Sequence, residues 1–263
     1  NGEDAFVLLW QFFVESEVPL GSIGYTPKLT GEIIGPQNNF YQLNITPVSH
    51  PDAYIYMGNE SENMDESSID LVIKFDLRNA DQRHCLVGQL SQVNSSGSEV
   101  DFSNYILHQT KDRTVDFWIR IPSSAFYRLH IFKTNANQPN NDVPVVYSYL
   151  IEAPPRSSHY KGQVHGSFPY QYFPWKETGY IHKPIEGKLK CAKGSVNFQV
   201  TLPQAVAVAV SYGDKWTALE KSNNVWSADV DLPMSPELKP VLCANFDGEP
   251  ERYSCLLEFD IIG

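Results

Sequence analysis

At 263 residues, with 42% hydrophobic and 13% aromatic side chains, the chain carries enough apolar surface for two ordinary cores, and that surface offsets the ordering entropy that keeps a disordered chain open. The formal net charge is -11 and no Lys/Arg cluster occurs, which speaks against nucleic acid or an anionic membrane as partner, because both require clustered cations. No apolar run reaches the ~20 residues that span a bilayer.

In chain order, the first 38 residues read as a connecting arm. Its apolar run, Ala5 to Trp10 and then Phe12 to Val14, follows Glu3 and Asp4, so it reads as a core-packing strand or short helix and not as a signal peptide. Pro19, Gly21, Gly24, Pro27, Gly31, Gly35 and Pro36 then break any long regular element.

Residues 39–153 are expected to form a first immunoglobulin-like β-sandwich. Strand signals fall at Phe40 to Val48, Ala53 to Tyr56, Ile69 to Phe75, Cys85 to Val93, Tyr105 to Gln109, Val115 to Ile121, Tyr127 to Lys133 and Val143 to Ile151. Short strands with turn-rich gaps and no helical period give that pattern. The alternation is cleanest where Val115, Phe117, Ile119 and Ile121 interleave with Asp116, Trp118 and Arg120, the period of a half-buried strand. The Asn-rich loop Asn135 to Asp142 is short enough to make the strand after it an antiparallel neighbour of the one before. From Gly58 to Asp70, the acidic residues Glu60, Glu62, Asp65, Glu66 and Asp70 fit no EF-hand spacing and read as a solvated loop.

Residues 154–179 read as a linker rich in proline and aromatics, with Phe168, Tyr170, Tyr172, Phe173 and Trp175 among Pro169 and Pro174. So many aromatics are not left in water, so the linker is expected to pack on the sandwiches and restrain their angle. Residues 180–263 read as a second immunoglobulin-like sandwich. Its strand signals are Ser195 to Leu202, Ala205 to Tyr212, Lys215 to Lys221, Val225 to Leu232, Pro240 to Phe246 and Arg252 to Ile262. In the second of these, Val206, Val208, Val210 and Tyr212 form one face, and Ala205, Ala207 and Ala209 leave the other able to accept a closely packed layer. Trp226 reads as a core tryptophan.

Nothing in the pattern builds a reactive site. His84 and Cys85 are adjacent and therefore point to opposite faces of a strand. No Gly-x-Ser-x-Gly elbow or phosphate-cradling loop occurs, and neither His159, His165 nor the cysteines have zinc spacing. The expectation is a non-enzyme with no cofactor and no metal. Cys243 and Cys255 flank a hairpin tip at Asp247 to Glu251 and form a candidate disulfide; reduced thiols and mixed pairings remain alternatives. The acceptor triplets at Asn44, Asn59 and Asn94 do not decide secretion. What remains is surface: Trp118 on the outward face of its strand, with His130 on the next strand, is a candidate interaction surface, either free or covered by the amino-terminal arm. The alanine face at Ala205, Ala207 and Ala209 is a second.

Several stretches resemble the kyphoscoliosis peptidase and hillarin family. Phe126-Tyr127-Arg128-Leu129-His130-Ile131-Phe132, followed after a polar insert by Val143-Pro144-Val145-Val146-Tyr147-Ser148-Tyr149-Leu150-Ile151, is similar to the end of the immunoglobulin-like domain that follows the family's transglutaminase-like core. Leu43 to Pro51 resembles the opening of that domain, with Asn44 in place of a glutamate, and Trp10-Gln11-Phe12-Phe13 resembles the segment upstream. Val196 to Pro203, Val206 to Val210 and Gly213-Asp214-Lys215-Trp216 are similar to a further such domain. The core itself, with its Cys, His and Asp, has no counterpart, so no catalytic residue carries over; the expectation is a carboxy-terminal portion or a form that has lost the core. The resemblance implies a protein-interaction role with a cytoskeletal partner in a cytoplasmic setting. Two alternatives stand beside it: a secreted glycan or matrix binder stacking on Trp118, Trp175 or Trp216, and the regulatory portion of an enzyme whose core lies upstream.

Overall fold

Alternating side chains fold this chain into two β-sandwiches. The computed structural model describes residues 23–25, 27–28, 33–59, 69–77, 84–135, 143–155, 166–190, 194–232, 235, 237–250 and 252–262. The amino-terminal apolar run, residues 60–68 of the acidic loop, residues 136–142 of the Asn-rich loop, His159 and His165 lie outside the described residues.

The first sandwich packs two sheets. One has the order β2 (Thr46–Pro47), β4 (Leu71–Asp76), β8 (Thr114–Ile119), β7 (Ile106–Lys111). The other has the order β1 (Gly35–Pro36), β10 (Val145–Ala153), β9 (Ala125–Asn135), β5 (His84–Val93), β6 (Glu99–Asp101), with β3 (Tyr54–Tyr56) added parallel to β10. In immunoglobulin notation these are the A-B-E-D and G-F-C-C′ rows. Ile73, Phe75, Val115 and Phe117 from the first sheet meet Leu86, Leu90, Leu129, Ile131, Tyr147 and Tyr149 from the second. Phe75 makes edge-on contacts with Phe117, Tyr147 and Tyr149. Where the chain crosses from β8 to β9, the Tyr127 hydroxyl donates back to the Ser123 carbonyl at 3.0 Å, the tyrosine-corner bond of such sandwiches.

The second sandwich repeats the plan. β12 (Tyr180–Lys183), β14 (Ser195–Thr201), β18 (Val225–Asp231) and β17 (Glu220–Ser222) form the A-B-E-D row. Opposite lie β11 (Tyr170–Gln171), β20 (Ser254–Glu258), β19 (Val241–Asn245), β15 (Ala207–Tyr212) and β16 (Lys215–Ala218). β13 (Lys188–Lys190) pairs parallel with β21 (Asp260–Ile262), as β3 does with β10. Trp226 sits in this core with Phe198, Val200, Val208, Val210 and Leu242.

Five local readings change. Asp70, read as part of a solvated loop, is buried and accepts from the Ile121 N–H at 2.7 Å. Phe40–Leu43 is a 3-10 turn and not the start of a strand, ended by Asn44 in the left-handed region at φ 52, and Pro47 limits the strand after it because it has no N–H to donate. Val206 is exposed because β15 begins only at Ala207, after a turn closed by the Ala205 N–H on the Leu202 carbonyl. The single strand read at Lys215 to Lys221 is two strands in different sheets, β16 and β17, with buried Leu219 at the crossing. Within the linker, Phe173–Thr178 forms helix α1, with Pro174 in its first turn where a missing N–H costs nothing, and β11 belongs to a sheet of the second sandwich.

Candidate functional site

Two surfaces stand out: a buried seam where the sandwiches meet, and an exposed sheet face on the second. The seam is built on β7, the edge of the A-B-E-D sheet. An exposed edge offers unpaired N–H and C=O groups, and here they are taken up from the chain beyond residue 165. The Gln171 side chain acts as a strand surrogate: its Oε1 accepts from the His108 N–H at 2.8 Å and its Nε2 donates to the Ile106 carbonyl at 2.7 Å. The Trp175 indole donates to the His108 carbonyl at 2.8 Å, and the Thr110 N–H donates to the Gly179 carbonyl at 2.8 Å. Gln109 reciprocates from the first sandwich. Its amide receives from the Ile181 N–H and donates to the Ile181 carbonyl, both at 2.9 Å.

Apolar packing completes the seam. Leu107, Ile69 and Trp118, on the outward face of the first sandwich, join the second sandwich's core cluster together with Trp175 and Ile181. Trp175 is 0% exposed, and Gly179 lies so close to its ring that a Cβ there would sit 2.2 Å from Cε3. At the far end, Arg120, 1% exposed, donates to the Gly166 carbonyl at 2.7 Å and to Glu186 Oε1 at 2.8 Å, and lies over the Phe168 ring at 4.1 Å. Its planar donor fork suits such a desolvated position.

His108 is a buried titratable group at the centre of the seam. Its Nε2 accepts from the Gly88 N–H at 2.8 Å, so Nδ1 carries the proton and faces Gln171 Oε1 at 3.0 Å. Burial, with nearby Lys176, pushes its pKa down to about 3 and keeps the ring neutral. Cys85 is buried beside α1, donates to the Lys176 carbonyl at 3.3 Å, and is pushed by burial up to about 12, which makes it an inert thiol.

The structure separates Trp118 from His130. Trp118 is half-buried in the seam, edge-on to Tyr180 at 6.0 Å between centroids; its cover is the second sandwich, where the arm was the alternative expected. His130 lies on the other sheet, half-buried, with Nδ1 2.8 Å from Ser148 Oγ. The two therefore form no common surface. Ala205 and Ala209 are buried and Ala207 half-buried. Val208 and Val210 enter the core, so Ala209 between them, the cross-strand partner of both Ala218 and Cys243, faces outward from its sheet. Cys243 and Cys255 are free thiols placed as direct partners across β19 and β20.

That outward face also carries one of the tryptophans offered above for glycan stacking. Trp216, partner of Ser211 on β15, is 55% exposed and lies 5.3 Å from the Tyr253 ring. Trp118, Trp175 and Trp226 are all wholly or partly buried. The Asn94 side chain is engaged in its own turn, accepting from the Ser96 and Ser98 N–H groups at 2.9 and 3.0 Å. Among the described residues, no group of three or more His, Cys, Asp or Glu side chains converges as a metal site, and no helix is long and apolar enough to cross a membrane.

The A-B-E-D and C′-C-F-G rows with a tyrosine corner define the first unit as an immunoglobulin-like β-sandwich. More narrowly, residues 33–161, which hold this sandwich, match the family described as KY-like, immunoglobulin-like domain, in agreement with the resemblance read from residues 126–151. No curated protein matches the chain. Among solved structures, one of fibronectin(III)-like modules of CbhA from Clostridium thermocellum aligns with 82% of this chain and 93% of its own, at 9% identity and a TM-score of 0.24; the fold rests on the strand order and not on that alignment.

Proposed function

We propose that the chain is a non-catalytic protein-interaction module. In this reading the seam fixes two immunoglobulin-like sandwiches against each other, and the outward face around Trp216 meets a cytoskeletal protein. The observation that carries it is the exposure of Trp216 beside Tyr253, on a sheet face it shares with the small residues Ala209, Ser211 and Ala218. A large aromatic over small neighbours presents contact area at little entropic cost, which is the character of interface hot spots. The KY-like domain supports the cytoskeletal setting, inside the cell.

Co-sedimentation of the full chain with purified cytoskeletal filaments tests it. Trp216→Ala is expected to weaken binding by about tenfold or more, with Tyr41→Ala, an exposed aromatic on the first sandwich, as the control. Retention equal to the unaltered chain overturns the choice of surface, and no sedimentation of any variant overturns the cytoskeletal partner. The same exposed tryptophan favours one second reading, a glycan platform. Saturable oligosaccharide binding lost in Trp216→Ala, without filament binding, selects it.

A further inference from the structure

We propose that Cys243 and Cys255 form a reversible thiol–disulfide site on the outward face of the second sandwich, with Cys255 the entry thiol and Cys243 the resolving thiol. The register makes them cross-strand partners on adjacent antiparallel strands, just past a bulge between Leu242 and Cys243, and the two thiols lie within hydrogen-bonding reach of each other; partners in a regular ladder have Cα atoms about 4.5–5.5 Å apart, inside the range a disulfide bridges.

Exposure assigns the order of events. Cys255 is exposed and Cys243 is buried, with its Sγ 3.9 Å from Ser211 Oγ and 3.6 Å from the Val241 carbonyl. A soluble disulfide therefore meets Cys255 first. Its thiolate attacks one sulfur of a low-molecular-weight disulfide such as glutathione disulfide; a mixed disulfide forms and one glutathione thiolate leaves. Cys243 then attacks the Cys255 sulfur, forming the protein disulfide and expelling the second glutathione. The two protons of the protein thiols end on the two released glutathiones, so the protein pair is oxidised as the reagent is reduced. Burial pushes the Cys243 thiol up to about 12, so by itself it is a slow nucleophile; adjacency to the mixed disulfide gives it its role. Cys85, turned into the seam, takes no part.

The site has a structural reach. β20 also pairs with β11, and the Tyr172 N–H donates to the Leu256 carbonyl at 3.0 Å, so the bond would be made on the strand that joins this sheet to the seam. It is independent of any partner at Trp216, because its readout is covalent.

The full chain is incubated with glutathione disulfide, quenched with an alkylating agent, and mapped after trypsin, which cleaves at Arg252 and so separates the two cysteines. The expected product is a Cys243–Cys255 linked peptide pair with no retained glutathione. Cys243→Ser is expected to hold glutathione on Cys255, and Cys255→Ser to slow reaction at Cys243 by at least ~10-fold. Glutathione retained on Cys255 of the unaltered chain, linkage of either cysteine to Cys191, or no oxidation at all overturns the proposal. Cys243→Ala serves if the serine variant does not fold, and the map of the unaltered chain decides by itself.

Discussion

The two sandwiches share one topology and treat the same edge in opposite ways. β7 and β17 each end an A-B-E-D row. In β7, Ile106, Leu107, His108 and Gln109 are buried, whereas Glu220, Lys221 and Ser222 of β17 are all exposed. The covered edge uses neutral side chains that exchange hydrogen bonds with another part of the backbone. The open edge is short and carries charges of both signs, the usual protection against pairing with a second chain. An identical place in a fold thus becomes a joint or a free rim according to whether its polar groups can be satisfied without charge.

If the seam is a joint, its removal should damage both sandwiches. Trp175→Ala has the largest expected effect: it deletes a fully buried indole and its bond to the His108 carbonyl, a loss of about 3–5 kcal/mol. Urea unfolding is expected to change from one transition to two as the sandwiches uncouple; a single, unshifted transition would show that they never shared stability.

Acid should loosen the same joint through His108. An unfolded His titrates near ~6.5 and the folded one at about 3, so its contribution is complete above the unfolded value and is lost as pH falls toward the folded one. Unfolding free energy should fall by up to about 1.4 kcal/mol per pH unit within that window. His108→Gln should flatten the slope in urea titrations at pH 7, 6, 5 and 4, and a slope that survives would place the titration elsewhere. Gln171→Ala comes next, at about 1–2 kcal/mol for the bonds to Ile106 and His108, measured as a shift in urea midpoint.

The strands were legible in the sequence wherever one face is apolar and the other polar, as along Val115 to Ile121 and Ser195 to Leu202. The seam was not. Gln109, Gln171 and Arg120 look like solvent-side residues, and the backbone groups that receive them are 72, 65 and 46 residues away, beyond any periodic pattern. One signal was present: Leu107 and Trp118 place large apolar groups on the outward face of neighbouring strands, which marks a sheet covered on both sides. The helix in the linker was hidden by its prolines, which speak against a sheet strand while Pro174 is equally at home in the first turn of a helix. Trp216 resembled the other tryptophans in its local pattern, and only the second sandwich's outward face, left open beside Tyr253, distinguishes it.

The smallest effect on stability should come from the free rim, where the comparison is sharpest. Replacing Glu220 and Lys221 by valine removes two exposed charges and the Lys221 ammonium 5.0 Å from the Trp226 ring, a loss of about 0.5–1 kcal/mol that valine's strand preference partly offsets. The cost should appear as self-association, because an uncharged β17 exposes its unpaired edge to a second chain. Sedimentation velocity across a concentration series should show dimers and larger species for the double variant and a single species for the unaltered chain. Gln109→Val makes the complementary change on β7. It should lower stability, because Ile181 loses its partners, yet leave the sedimentation unchanged, since that edge is already covered. If both variants associate equally, the seam does not shield β7 in solution, and the contrast between joint and rim fails.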